Sequence, residues 1–374
     1  MSPGLDDILQ DAPREAVLAL ASAVEPGTLG VSESVIEHGI DATLVRLTRR
    51  CRPRAHPPDT TVDIPVMLAE CARRGIRVLI PGDAEFPSQL LDLPEPPLAL
   101  WVRGPLDLRA AALRSVAVVG ARACTAYGER ATGVVAGGLA EQGWAVISGG
   151  AFGIDAAAHR TALAVGGPTV AVLACGMDVT YPRAHGSLFA RIADEGLLIS
   201  ELPLGSAPLK HRFLARNRII AAISRGTVVV EAARRSGAMA TASRALELGR
   251  VVMAVPGPIT SMASSGTNRL LHEGSARAVS DPAEVSGLLV GAPGHLTGES
   301  AGDEPGGERR GPDLAGLPEG VRDVLAVLPR RGGRPIEVVA QASGTAPATC
   351  LAHLGLLEIL GLTRRTPAGW RRTC

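Results

Sequence analysis

The sequence predicts an α/β protein built on a doubly wound parallel sheet. Three observations carry this expectation. From residue 115 onward, short, continuously apolar, β-branched runs alternate with helical stretches. That order calls for right-handed crossovers and parallel strands covered on both faces. Glycines stand where several of those runs end, as at Gly120 and at Gly149-Gly150, where a chain must turn sharply from strand into helix. Finally, 46% of the chain is hydrophobic but only 2% is aromatic, so a sizeable core is available and must be made of Ala, Val, Leu and Ile.

Taken in order, residues 16–23, 32–38, 42–49 and 66–74 read as helices of an N-terminal, SAM-like module over 1–75, with a proline-rich piece at 52–59. Strands follow at 77–80 and 98–102. The regular pattern then places strands at 116–119, 144–148, 169–174, 196–200, 227–230 and 250–255. Helices fall between them at 127–142, 155–165, 186–194, 217–224 and 238–248, giving a central domain over 76–290. Residues 291–316, rich in Gly, Pro and charge, read as a disordered linker. In 317–374 the order is helix (320–328), helix (336–342, ended by Ser343-Gly344), helix (346–360) and hairpin (362–372), a winged-helix pattern. This module carries eight arginines against four acidic residues. Its candidate recognition helix, 346–360, has no Arg, Lys, Asn or Gln to read base edges, so a protein–protein role suits it better than duplex readout.

The net charge of +1 excludes a protein that is basic all over but not a local basic groove. Lys210 is the only lysine; every other strong cation is Arg. The six cysteines form no CxxC or zinc spacing, and reduced thiols are expected. Residues 1–11 are acidic and lack a signal-peptide core. No apolar run approaches the ~18 residues of a membrane span, so the expected location is cytoplasmic.

Four constellations at strand ends carry candidate chemistry. After the first regular strand, Gly120 permits a sharp turn that projects Arg122 over the sheet edge; the alternative is an Arg on a solvated loop. After the second, Ser148-Gly149-Gly150 opens SGGAFGID. Such a turn frees backbone amides to meet an anion at a helix N-terminus, or is simply a tight turn. Asp155 reads as that helix's N-cap and His159 as packing. The sequence fits neither GxGxxG nor GK[ST], so dinucleotide and ATP fingerprints fail. The third constellation is Lys210, Phe213, Arg216, Asn217 and Arg218. If Asn217 opens a helix, Arg216 and Arg218 crowd its positive end and recruit an anion. Phe213 is then either a core anchor or a platform for an unstacked base. The fourth is Glu231, a candidate catalytic carboxylate or a partner for the arginines. Cys175 lacks an adjacent His and makes a weak nucleophile.

The segments VAVVGAR, ISGGAFGIDAAAH, VLACGMDVTYP, ISELPLG, FLARNRIIAAIS, VVVEAARRSGAMATA and AVPGPITSMASSGTN occur in this order. Over residues 75 to 285 the chain closely resembles the bacterial DNA-processing protein A family (DprA, also called Smf). The resemblance implies an extended Rossmann-like core, with an N-terminal helical domain and a C-terminal winged-helix domain in many members. It implies a protein that binds and protects single-stranded DNA and loads RecA recombinase in natural transformation, working as a homodimer through its central domain. It also implies a DNA pocket at Gly120, Arg122, Ser148, Gly149, Gly150, Lys210 and Phe213, followed by Asn217 and Arg218. Leu214 departs from the family's frequent proline, and Ala238-Met239-Ala240 from a Ser-Leu-Ile type run, which puts local loop shape in question. The reading is a non-enzymatic binder with no cofactor and no metal. One rival is an enzyme of the nucleotide phosphoribohydrolase kind, with Arg122 and Glu231 as its pair, although ARRSGAMAT replaces its PGGxGT loop. The other is a regulator whose winged helix reads duplex DNA.

Overall fold

In the computed structural model, residues 4–50, 63–291, 319–329, 333–359, 362–366 and 369–372 are described. They fall into two units, Met1–Leu296 and Thr297–Cys374. The proline-rich piece at 52–59 and nearly all of the expected linker lie outside the described residues.

The first unit begins with five helices: α1 (Leu5–Asp11), α2 (Arg14–Ala23), α3 (Val31–His38), α4 (Ile40–Arg50) and α5 (Ile64–Arg73). Val17, Leu18, Leu20 and Ala21 form the buried stripe of α2, and Asp63 caps α5 by accepting from Val66 N at 3.1 Å. Their apolar faces share one buried cluster with Trp101, Leu173 and Leu198 of the sheet, so the helical module packs directly on the sheet's flank.

The strands are β1 (Ile76–Leu79), β2 (Leu100–Arg103), β3 (Ser115–Val119), β4 (Ala145–Ser148), β5 (Thr169–Leu173), β6 (Leu197–Ser200), β7 (Gly226–Val229), β8 (Val251–Ala254) and β9 (Arg277–Ala278). Between them run α6 (Leu108–Leu113), α7 (Ala126–Glu141), α8 (Ile154–Ala164), α9 (Gly186–Glu195), α10 (Lys210–Ile223), α11 (Gly237–Glu247), α12 (Ser265–His272) and α13 (Pro282–Gly291). They make one mixed, mostly parallel sheet of order β1-β2-β6-β5-β4-β3-β7-β8-β9. Alternate residues serve opposite faces. Ala117, Val119, Ile147 and Val229 join a cluster with α10 and α11, whereas Val116, Val118, Val146 and Val228 join one with α7 and α8.

The α/β class and the parallel centre match the expectation, with three differences. β1 and β2 are antiparallel to their neighbours, which short apolar runs alone do not disclose. α1, α6, α12, α13 and β9 were not anticipated. Most consequential, α10 starts at Lys210 rather than Asn217. Its N-cap, Leu209, offers no side-chain bond, so nothing in the sequence marks the start. Arg216 and Arg218 therefore sit mid-helix rather than at a positive helix end.

The second unit holds α14 (Glu319–Ala326), α15 (Ile336–Ser343), α16 (Pro347–Ile359) and an antiparallel hairpin of β10 (Thr363–Thr366) and β11 (Gly369–Arg372). Gly344, in the left-handed conformation, ends α15. Val324, Leu354, Leu357 and Trp370 lie in its own core. Among the described residues of the chain, no helix is long and apolar enough to cross a membrane.

Candidate nucleic-acid interface

The chain order reverses between β3 and β7, so the loops after these strands flank the topological switch point, where ligands of such sheets usually lie. Here that crevice is filled from within. Glu231 is buried, and its carboxylate accepts from Thr125 N at 2.9 Å and from the Thr125 hydroxyl at 2.6 Å. Thr125 caps α7. A side chain at Gly128 would collide with the Glu231 carboxyl group. The protein's own carboxylate thus occupies the anion seat at the helix N-terminus, and Glu231 serves neither Arg122 nor any exposed chemistry.

The next helix repeats the arrangement. Gly153, not Asp155, is the N-cap of α8. The buried Asp155 carboxylate turns back to accept from Ala151 N at 3.4 Å. Burial pushes its carboxyl above the usual range, against the opposing pull of Arg216. Arg216 is buried too. It donates to Gly149 O at 2.6 Å and to Val172 O, tying together the ends of β4 and β5. Burial brings its guanidinium down to about 10. A side chain at Gly149 would collide with Arg216, and one at Gly150 would lie 2.6 Å from the Phe189 ring. The two glycines are therefore required for close packing.

The ten candidate residues consequently divide into two groups. Ser148, Gly149, Gly150, Arg216, Asn217 and Arg218 are buried, and each is held by contacts within the protein. The Ser148 hydroxyl donates to Val118 O at 2.7 Å. Asn217 donates to Gly237 O at 3.2 Å. Arg218 donates to Glu95 O at 2.8 Å and pairs with the partly buried Glu201. Gly120 is half-buried against Ile154 and Glu231 O. Burial agrees with the packing reading of His159 and with the weak nucleophile reading of Cys175. His159 is held neutral, its imidazole driven down to about 3, and the Cys175 thiol is pushed up to about 11.

Arg122, Lys210 and Phe213 are the candidates that reach the surface. The Arg122 guanidinium lies 5.4 Å from the Phe213 ring centroid. Lys210 stands one turn before Phe213 on α10, hence on the same side. Among the described residues, neither Arg122 nor Lys210 forms a salt bridge. The structure adds residues to which the sequence reading assigned no contact. Tyr181, 44% exposed, brings its ring 5.5 Å from that of Phe213. Phe152, 48% exposed, rises from the glycine turn after β4. Arg183, Arg234 and Arg235 are exposed on the loops after β5 and β7. The available signal was position: each lies just past the carboxyl end of a strand.

A family profile described as DNA recombination-mediator protein A matches residues 77–289. The chain belongs to that family. A protein of Mycobacterium tuberculosis named putative DNA processing protein DprA is 47% identical over 310 residues, which span 80% of this chain and 77% of that one. Among solved structures, DNA processing protein A of Streptococcus pneumoniae matches with a TM-score of 0.60 at 33% identity, covering 77% of this chain and 98% of that one. The Helicobacter pylori protein, solved for its single-stranded DNA binding mode, matches with a TM-score of 0.52 at 30% identity, covering 57% and 95%.

Proposed function

We propose that this protein binds single-stranded DNA, without sequence preference and without chemistry, at the carboxyl edge of its central sheet. The observation that carries the reading is the group formed by Arg122, Phe213 and Tyr181 with Lys210 beside it: cations free of counter-charge, next to rings. Phosphates neutralise Arg122 and Lys210 while Phe213 stacks on a base, a contact that typically contributes ~1–3 kcal/mol. That a relative from H. pylori was solved for its single-stranded DNA binding mode supports the choice of ligand. The buried group is the floor: Arg216 and Asp155 hold the Ser148–Gly150 turn, and Asn217 and Arg218 lock α10 in place.

In this reading the chain protects incoming strands and delivers them to RecA recombinase during transformation, acting in the cytoplasm as a homodimer. Residues 1–75 are the helical domain, 76–290 the DNA-binding domain, 291–316 a linker and 317–374 a winged helix engaged in protein contacts. The phosphoribohydrolase alternative is not favoured, because Glu231 is buried and committed to Thr125.

The test is a comparison of single-stranded and duplex DNA by gel shift, with Arg122→Glu and Lys210→Glu combined. The expected outcome is a preference for the single strand that the double variant abolishes while its thermal unfolding is unchanged. Unaltered affinity refutes the site.

A further inference from the structure

The chain has four Phe and two Tyr, and Phe152, Phe189, Phe213 and Tyr181 come together at one end of the sheet. Two ring groups, joined by short stretches of backbone, make up this end. Arg122 lies over Phe213, and Phe213 meets Tyr181. Tyr181 leads along the chain to His185, whose ring is 4.6 Å from that of Phe152 in an edge-on contact. From Phe152 the backbone passes to Gly153, which abuts the carbonyls of Ala121 and Arg122. Ile154 N donates to Ala121 O at 3.2 Å.

Phe152 is held out of the core deliberately by local geometry. Gly150 and Gly153, both at positive φ (65° and 76°), turn the chain out and back around it. Its support is fixed, since His185 is buried, shares a hydrogen bond with Gly150 O at 3.0 Å and backs onto Phe189 with 6.1 Å between ring centroids. An exposed ring braced on one side and open on the other, in a chain so poor in rings, is a stacking surface. Cations on the same rim select a polyanion as its occupant.

We propose that Phe152 and Tyr181 are further base-stacking positions, so that the site holds more than the one base assigned to Phe213. The proposal deepens the single-stranded DNA reading and rests on it. Phe152 gives the strand a second platform, and Tyr181, tilted against Phe213, a third.

The test uses the full-length protein and fluorescence anisotropy with two labelled 20-mers, oligo-dT and a strand of abasic sugars. Phe152→Ala is expected to weaken binding of oligo-dT by about 5- to 150-fold and to leave the abasic strand unchanged. Phe152→Trp, which keeps an aromatic face, is expected to retain the affinity, and Phe152→Leu to lose it. Tyr181→Ala is expected to behave as Phe152→Ala, and Tyr181→Phe as the native protein. Equal losses on both strands, or no loss on either, overturn the proposal. So does a changed oligomeric mass with oligo-dT affinity intact, which assigns the ring to a protein interface. Arg122→Glu with Lys210→Glu reports on the underlying reading separately. If that variant still binds while Phe152→Ala selectively loses oligo-dT, the stacking platform stands and the phosphate contacts lie elsewhere.

Discussion

Two sets of cations meet around α10 and have opposite fates. Lys210 and Arg122 reach solvent and, among the described residues, form no salt bridge. Arg212, Arg216 and Arg218 are engaged: with Glu25, with the carbonyls of Gly149 and Val172, and with Glu201 and Glu95 O. In the sequence all but Arg122 form one basic run. The difference shows that a dense run of arginine is not by itself a phosphate track, because a guanidinium can serve as a bracket for backbone carbonyls that a lysine cannot span. One side of α10 brings Lys210 and Phe213 to the surface; the rest fastens the helix to the sheet and to the N-terminal helices.

The comparison breaks most visibly at Arg216. Arg216→Met removes a donor from the Gly149 and Val172 carbonyls and the charge that opposes the burial of Asp155. Removing one partner of a buried charged pair generally costs about 3–5 kcal/mol. A lower urea midpoint by far-UV circular dichroism is expected, with Arg216→Lys failing to restore it. A native midpoint shows that Arg216 belongs with the surface cations after all.

How much of this was legible beforehand follows the same division. The strands were, because β-branched runs with glycine ends have few other fates. The split between buried and exposed cations was not. Val172 is 44 residues from Arg216 and Gly149 is 67 away, and Arg is equally at home on a surface. Nor was the start of α10, for lack of a cap at Leu209. The ring contacts of Phe152 and Tyr181 were not legible either, because their loops follow different strands and only the folded sheet brings the rings to one end.

A second effect is expected on acidification. His159 shares a hydrogen bond with Thr169 at 2.8 Å, and its Nε2 is buried without a partner. Burial, then the charges of Arg216, His185 and Arg160, lower its pKa from 6.5 to about 3. A depressed histidine is neutral in both states at high pH. Stability is therefore complete above 6.5 and lost as pH falls, because the unfolded chain takes up the proton first. At pH 5 the loss attributable to His159 is about 2 kcal/mol. Asp155, raised by burial, works in the opposite sense. The difference between wild-type and His159→Asn titrations isolates the histidine; superimposable pH profiles would contradict it.

The surface cations should respond in the reverse manner, strongly in binding and hardly in stability. Lys210→Ala is expected to alter unfolding free energy by less than about 0.5 kcal/mol. It should reduce the slope of log affinity against log salt by about 0.7, the share of one phosphate on a single strand. Because Lys210 is the only lysine, amine labelling followed by mass spectrometry reads the same contact, with protection expected from oligo-dT and none from duplex. Labelling indifferent to DNA removes Lys210 from the interface.

The smallest effect is expected at Glu25, where the two sets border. Its carboxylate meets Arg212 at 3.0 Å and His211 at 3.1 Å, joining the loop after α2 to the first turn of α10 beside Lys210. Burial pushes the Glu25 carboxyl up, but the hydrogen bonds and charges of Arg212 and His211 outweigh it and hold the group below its usual value. A depressed carboxylate stabilises above its unfolded pKa and loses that contribution as pH falls through the folded one. The Glu25 side chain is 47% exposed, so solvent screens the pair, and Glu25→Gln should cost no more than about 1 kcal/mol, less at high salt. Its more telling consequence is on binding. If the bracket orients the first turn of α10, Glu25→Gln weakens oligo-dT binding slightly without altering the salt slope, since no phosphate contact is removed. A changed slope would place Arg212 among the cations that meet the strand.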